Sequence, residues 1–341
     1  MSIDPNQPAF RFVPYGTRFE AEKNTLVLDV GMKTTPGIID HHHPDAEPEC
    51  TASLITKNPF LVLDHDIDRN RLKIVTHRRP DFDAVASIFL VYKLLEKGEI
   101  DPAMEKISWY AKMVDSASIP KDWILPITPY AILRALFLRI RKRDTEADVE
   151  RVRIGMQLMN FLYERAGHGD DIFQNRSLFA GIERYERAIN KAEDDFFNYL
   201  QDLDRCQMLN LDFPLISGNG KKTVDGLIVK NPRSFLFKDW ARRDSTHTPL
   251  RNGFSFLMTN FGNTRYILGV DPDRGIYLRG LGTLLNDKES DRRKQENRPA
   301  DESWYEGNCP LFNFRIIDSP QDVSSLSHQE IVDTIREFSQ S

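Results

Sequence analysis

Two short stretches crowd imidazole and carboxylate groups together: Asp40-His41-His42-His43-Pro44-Asp45 and His77-Arg78-Arg79-Pro80-Asp81-Phe82-Asp83, with Asp29-Val30-Gly31 just upstream. Five of the eight histidines fall between positions 41 and 77. One imidazole with several carboxylate oxygens is a mixed donor set that suits manganese and is acceptable to zinc, iron or cobalt. Asp81 and Asp83 sit two residues apart, so an extended turn lets them face two different metals. A solvated acidic turn and a polar histidine loop are the plainer readings. Against them stands the cost of placing so polar a run directly after Ile38-Ile39, which metal coordination would offset.

Something must hold these groups in place, and the flanking runs supply it. Leu26-Val27-Leu28 ends at Asp29, Gly37-Ile38-Ile39 at Asp40, and Lys73-Ile74-Val75-Thr76 at His77. Each run is short and aliphatic or β-branched, the pattern of a buried strand. Ala84 to Lys97 has helical spacing and closes at Gly98, and Thr51-Ala52-Ser53-Leu54-Ile55 opens a shorter helix. Ile107 to Val114 reads as a further strand, ending at Asp115. The expectation is an α/β sheet with its ligands gathered at strand C-terminal ends, where open parallel sheets carry their sites.

Beyond this region the pattern changes. Pro129 suits the first turn of a helix, and two long amphipathic stretches follow, Thr145 to Ala166 and Phe173 to Leu203. The basic run at 139–143 is offset by acidic residues at 144–150, as on a solvated helix face. From Leu211 onward short strands return: Leu211 to Ile216, Gly226 to Lys230, Phe254 to Thr259, Arg265 to Val270, Ile276 to Arg279 and Phe312 to Ile317. The polar stretch 286–303 is a helix end running into a loop or a mobile segment. Ser327-His328-Gln329-Glu330 is a capping box ahead of a terminal helix.

Composition limits the partners. The 341 residues carry 46 Lys and Arg against 51 Asp and Glu, a net charge of −5. That balance argues against tight, sequence-independent binding to duplex DNA, while leaving room for a small anionic substrate. No apolar run is long enough to cross a membrane, the N-terminus lacks the blocks of a signal peptide, and three scattered cysteines suggest no disulfide framework. A cytoplasmic protein is expected, and an oligomer is compatible with everything in the sequence.

The run Ile39-Asp40-His41-His42 is similar to the signature of the DHH phosphoesterase superfamily. The stretch His77 to Ser87 resembles the family's H-x-x-P-D-x-D-A motif, while Asp29-Val30-Gly31 and Met113-Val114-Asp115-Ser116 resemble its isolated aspartate motifs. All four lie within 29–116. Their order departs from the family, where H-x-x-P-D-x-D-A ordinarily precedes DHH, so the arrangement looks circularly permuted. Carried over, the resemblance implies two Mn2+ ions, with Mg2+ or Co2+ as substitutes: His77 and Asp81 on one, His41, Asp83 and Asp115 on the other, and Asp29 bridging. It implies that His42 contacts the substrate phosphate and that Asp40 orients the site, these two being the catalytic pair. Tyr277-Leu278-Arg279-Gly280-Leu281-Gly282 vaguely resembles the family's phosphate-binding strand, which would make Arg279 a second substrate contact with backbone N–H groups beside it. A plain strand and helix cap is the alternative.

The expected architecture is α/β: a parallel-sheet metal-binding domain at 1–125, a helical connector at 126–206, and a smaller mixed α+β substrate-recognition domain at 207–341. The expected activity is hydrolysis of phosphodiester bonds in nucleotides or short oligonucleotides by a two-metal-activated water. A phosphoanhydride hydrolase of the pyrophosphate type, or a non-catalytic metal- or nucleotide-binding module, is the alternative. His43 reads as a loop residue, and His65 lies between the clusters.

Overall fold

The computed structural model describes residues 10–262, 264–299, 303–320 and 323–340. The chain is a mixed α/β protein, with two five-stranded sheets among the described residues. It divides into two compact units: residues up to Glu193 together with Cys309–Leu311, and Asp194–Asn308 together with Phe312–Ser341.

The first unit opens with β1 (Phe10–Val13), β2 (Thr25–Leu28), β3 (Thr34–Thr35) and β4 (Ile38–Ile39). Two short helices follow, α1 (Thr51–Lys57) and α2 (Phe60–Leu63), and then β5 (Lys73–His77). The sheet runs β1-β5-β2-β4-β3, parallel through its first four strands, with β3 antiparallel at the edge. Leu26, Leu28, Ile38, Ile39 and Ile74 are fully buried. Such continuous burial is what a parallel sheet covered on its faces requires, and it explains why these strands read as unbroken apolar runs rather than alternating ones.

Helices α3 (Phe82–Lys97), α4 (Pro102–Asp115), α5 (Pro129–Phe137) and α6 (Thr145–Gly167) complete this unit with the start of α7 (Glu183–Leu203). The run at 107–114 is therefore not a strand, as its apolar content suggested, but the second half of α4. Asp101 accepts the Met104 N–H at 2.9 Å and Pro102 begins the first turn, a strong start signal. Met104, Ile107, Tyr110, Ala111 and Val114 are buried on one face, so the spacing is helical.

Of the expected connector at 126–206, residues 126–193 belong to the first unit and 194–206 to the second. Gly155 of α6 lies so close to Val85 of α3 that a Cβ there would come within 2.3 Å of Val85 Cγ1. Composition marked a boundary near 125 because the elements change from α/β to all-helical, but α5 and α6 pack onto the same unit. The expected helix over 173–203 starts only at Glu183, after a 3-10 turn at Arg176–Phe179.

The second unit builds its sheet in the order β10-β9-β8-β7-β6 from β6 (Gln207–Pro214), β7 (Lys221–Lys230), β8 (Phe256–Phe261), β9 (Arg265–Val270) and β10 (Ile316–Asp318), with α8 (Phe237–Arg243), α9 (Leu281–Gln295) and α10 (His328–Gln340). Strands β7 and β8 are parallel and the other neighbours antiparallel. Ile276 forms only an isolated bridge with Leu215, and the last strand is confined to Ile316–Asp318, so two expected strands are a bridge and a shorter strand. Helix α9 extends to Gln295 through the polar stretch, of which 300–302 lie outside the described residues. The capping box forms as the motif requires: Glu330 accepts the Ser327 N–H at 2.8 Å, and Ser327 Oγ accepts the Glu330 N–H at 3.3 Å.

Candidate metal centre

Of the neighbouring parallel strands β5, β2 and β4, the first ends in His77, and Asp29 and Asp40 directly follow the other two. Because the strands run in one direction, three termini that are far apart in sequence meet at one sheet edge. Asp29 takes a left-handed backbone conformation, φ +61°. A β-branched or bulky residue would be strained there, whereas aspartate tolerates it.

Asp29 is the shared member of the cluster. Its Oδ2 lies 3.2 Å from His77 Nε2, and its Oδ1 lies 3.5 Å from His41 Nδ1 and 3.7 Å from His42 Nδ1. Three groups of donor atoms lie within 4.8 Å of one another: Asp29, His77 and Asp81; Asp29, Asp40, His41 and His42; and His41, Asp83 and Asp115. Six residues expected as metal ligands thus fall in overlapping sets.

Helix ends supply the remaining carboxylates. Asp81 caps α3, accepting the Ala84 N–H at 3.1 Å, and stands 3.8 Å from His77 Nε2. Asp83, in the first turn of α3, accepts the N–H groups of Thr51 and Ala52 at 2.9 and 3.0 Å. Asp115 is the last residue of α4 and places Oδ2 3.0 Å from His41 Nε2.

Asp40 joins the donors of one set, with Asp29, His41 and His42, but both of its oxygens also have partners close to the strand end. Its Oδ2 accepts the Met32 N–H at 2.6 Å, and its Oδ1 lies 2.6 Å from His42 Nδ1. It thereby fixes the ring of His42, which lies against His41 with ring centroids 3.9 Å apart and planes tilted by 34°. His43 Nε2 lies 3.2 Å from Thr34 Oγ1, which donates to the Asp40 carbonyl, so this third histidine ties down the loop. His65 packs over the turn at Gly37, with its Nε2 2.9 Å from the Glu22 carbonyl oxygen.

Electrostatics explains what such a cluster needs. Burial disfavours charge on His41, but Asp115, Asp29 and Asp83 outweigh it and hold its pKa well above the usual imidazole value. Burial acts likewise on His77, where Asp29 and Asp81 prevail and raise it well above normal. Asp83 is pushed well above the carboxylate range by burial and by the charges of Asp29 and Asp115. Burial would raise Asp40 too, yet His42 lowers it, and His77 lowers Asp81, whose side chain is half exposed. The carboxylates thus call for positive charge, which protons on histidine supply in part. Divalent cations would supply it with the donor atoms already present, so the residues fit a metal centre.

Sequence reasoning missed two participants. Thr51 opens α1, donates its hydroxyl to Asp29 Oδ1 at 3.1 Å, lies 3.2 Å from His41 Nδ1 and gives its N–H to Asp83. Tyr15, two residues beyond β1, puts its hydroxyl 3.1 Å from His77 Nε2. Neither belongs to a recognisable motif; the strand register and helix packing bring them in.

Arg279 belongs to the second unit, exposed, with its guanidinium 5.1 Å from the Phe314 ring centroid. Beside it, Glu306 Oε1 accepts the Gly280 N–H at 2.7 Å, and a Cβ on Gly282 would come within 2.7 Å of Glu306 Cγ. The backbone donor that was expected to meet phosphate already holds a carboxylate of the chain. Among the described residues no helix is long and apolar enough to cross a membrane. Compared with known proteins, the chain matches no family model and no curated protein.

Proposed function

We propose that this chain is a divalent-metal-dependent phosphoesterase of the DHH type that hydrolyses phosphodiester bonds in nucleotides or short oligonucleotides. The observation that carries the reading is the position of Asp29, whose two oxygens face separate donor groups: His77 with Asp81, and His41 beside Asp83 and Asp115. A carboxylate between two donor sets is what a dinuclear site requires. Two bound ions, manganese in the first instance, would polarise the phosphoryl group and make water nucleophilic at neutral pH.

The chain's own residues divide the remaining work. Asp40 holds Nδ1 of His42, so that Nε2 is the atom that would meet a phosphoryl oxygen. His42 is 16% exposed, enough for substrate to reach, whereas His41 and His77 are fully buried. Thr51 holds Asp29 and Asp83 in register from the start of α1. The free cysteines Cys50, Cys206 and Cys309 suit the reducing cytoplasm, where we expect the enzyme to act. Motif order differs from the family's, but the donor set depends on which strand ends are adjacent, not on their order in sequence.

The test is hydrolysis of bis-p-nitrophenyl phosphate by metal-depleted protein with and without added manganese. Activity should appear only with metal and vanish in Asp83→Ala; metal-independent turnover, or none on any phosphoester, removes the proposal. Cyclic dinucleotides, short RNA and DNA oligomers and pyrophosphate, assayed side by side, then assign the substrate. Preference for pyrophosphate would favour the anhydride hydrolase instead.

A further inference from the structure

Strand register puts a tyrosine at the metal centre. β1 pairs with β5 so that Val13 stands opposite His77, and the Arg78 N–H bonds the Val13 carbonyl at 2.8 Å. Pro14, Tyr15, Gly16 and Thr17 then form a tight turn, with Gly16 at φ +75° and the Thr17 hydroxyl donating to the Pro14 carbonyl at 2.6 Å. Glycine at the third position suits a turn that needs positive φ there. The turn folds Tyr15 back over the end of β5. Its ring stacks on His77 with centroids 4.1 Å apart and planes inclined by 20°. Its hydroxyl oxygen lies 3.1 Å from His77 Nε2 and 3.4 Å from Asp81 Oδ2.

Those separations are the ones that the recognised donors keep among themselves. His77 Nε2 lies 3.2 Å from Asp29 Oδ2 and 3.8 Å from Asp81 Oδ1. The phenol oxygen therefore stands beside the same point in space as the other three. It enters from the solvent side, since Tyr15 is 40% exposed while His77 and Asp29 are buried. We infer that Tyr15 supplies a fourth donor, through its phenol oxygen, to the ion held by Asp29, His77 and Asp81. This rests on the dinuclear reading above and adds to it an asymmetry: one ion takes a tyrosine and meets solvent, the other is enclosed by His41, Asp83 and Asp115. Phenolate is a hard oxygen donor, so the first position would favour harder, more highly charged ions than an imidazole and carboxylate set alone.

The test uses ferric iron as a reporter, because phenolate bound to ferric iron gives a broad visible charge-transfer band that carboxylate and imidazole donors do not give. Metal-depleted full-length protein is loaded with ferric iron, bound iron is counted by mass spectrometry, and spectra are recorded for wild type and Tyr15→Phe, which keeps the ring on His77. Wild type should be coloured and the variant colourless with iron still bound, and manganese affinity at one of two sites should fall about 10- to 100-fold in the variant. Bound iron without the band in wild type, a band that survives in Tyr15→Phe, or no iron uptake overturns the assignment. A parallel manganese titration separates the two ideas: two manganese ions bound by a colourless ferric protein would defeat the tyrosine donor alone, and no manganese uptake would defeat the dinuclear centre as well.

Discussion

His41 Nε2 stands 3.0 Å from Asp115 Oδ2, joining the residue after a strand-end aspartate to the final residue of a helix. The same imidazole faces Asp29 and Asp83 through Nδ1. His41 is thus the inner post of the cluster and Asp115 the carboxylate that closes it. In Asp115→Ala the enclosed ion should be lost and manganese stoichiometry should drop from two to one by calorimetric titration, with hydrolysis falling on the order of 100-fold or more. Two ions retained at unchanged affinity would exclude Asp115 as a ligand.

Thr51 makes no bond that a metal would require, yet it touches Asp29, His41 and Asp83. Thr51→Val keeps the shape and the backbone N–H but removes the hydroxyl. Manganese affinity should weaken about 10- to 100-fold, with the melting temperature little changed, and Thr51→Ser should restore it. An unaffected titration would show the hydroxyl to be incidental.

Asp40 acts on His42, and Asp40→Asn tests whether that orientation matters. Both ions should still bind, while turnover drops on the order of 100-fold. Loss of an ion in this variant would move Asp40 into the ligand set.

What the chain disclosed at the level of sequence follows physical lines. Strands β2, β4 and β5 were legible because short aliphatic runs stop at a polar residue; helices separate β4 from β5, whereas β2 and β4 run parallel with only the short edge strand β3 between them in sequence. The run before Asp115 was misread because its apolar residues, taken alone, suit either a strand or a helix; the Asp101-Pro102 start and the recurrence at four and then three residues from Ile107 to Ala111 and Val114 decide for the helix. Tyr15 and Thr51 could not be found by motif, since their places depend on which strands and helices become neighbours.

Helix α6 bears on the metal centre through one loop. Buried Asp148 accepts the N–H of Arg79, which has φ +55°, between His77 and Asp81. Gly155 permits the close approach of α6 to α3, so Gly155→Ala, normally favourable in a helix, should destabilise the protein by about 1–3 kcal/mol. Thermal unfolding measures this, and Val85→Ala in the same chain should recover part of the loss. A stabilised single variant would contradict the packing.

Acid stability has a separate source in the second unit. Burial alone would raise the pKa of Glu289, but the Ser324 hydroxyl, the Ser325 N–H, Arg293 and Trp304 outweigh it and hold the group below its usual value. A carboxylate depressed in the folded state stabilises the protein above the unfolded pKa, about 4.3, and loses that contribution as pH falls through the lower folded value. Glu289→Gln should therefore cost about 1–3 kcal/mol at pH 7 and progressively less below about pH 4. A gap between the two proteins that is constant with pH would show that the charge is unimportant.

The left-handed backbone at Asp29 narrows what can ever stand at the pivot of the cluster. A glutamate would keep the charge but meet both a longer reach and an unfavourable φ, and an alanine would lose the donor and strain the turn. Asparagine alone among close relatives tolerates the conformation while weakening the donor. Asp29→Asn therefore separates charge from geometry at the one residue both donor sets share, and the position admits gradual loss of metal affinity without collapse of the strand end that carries it.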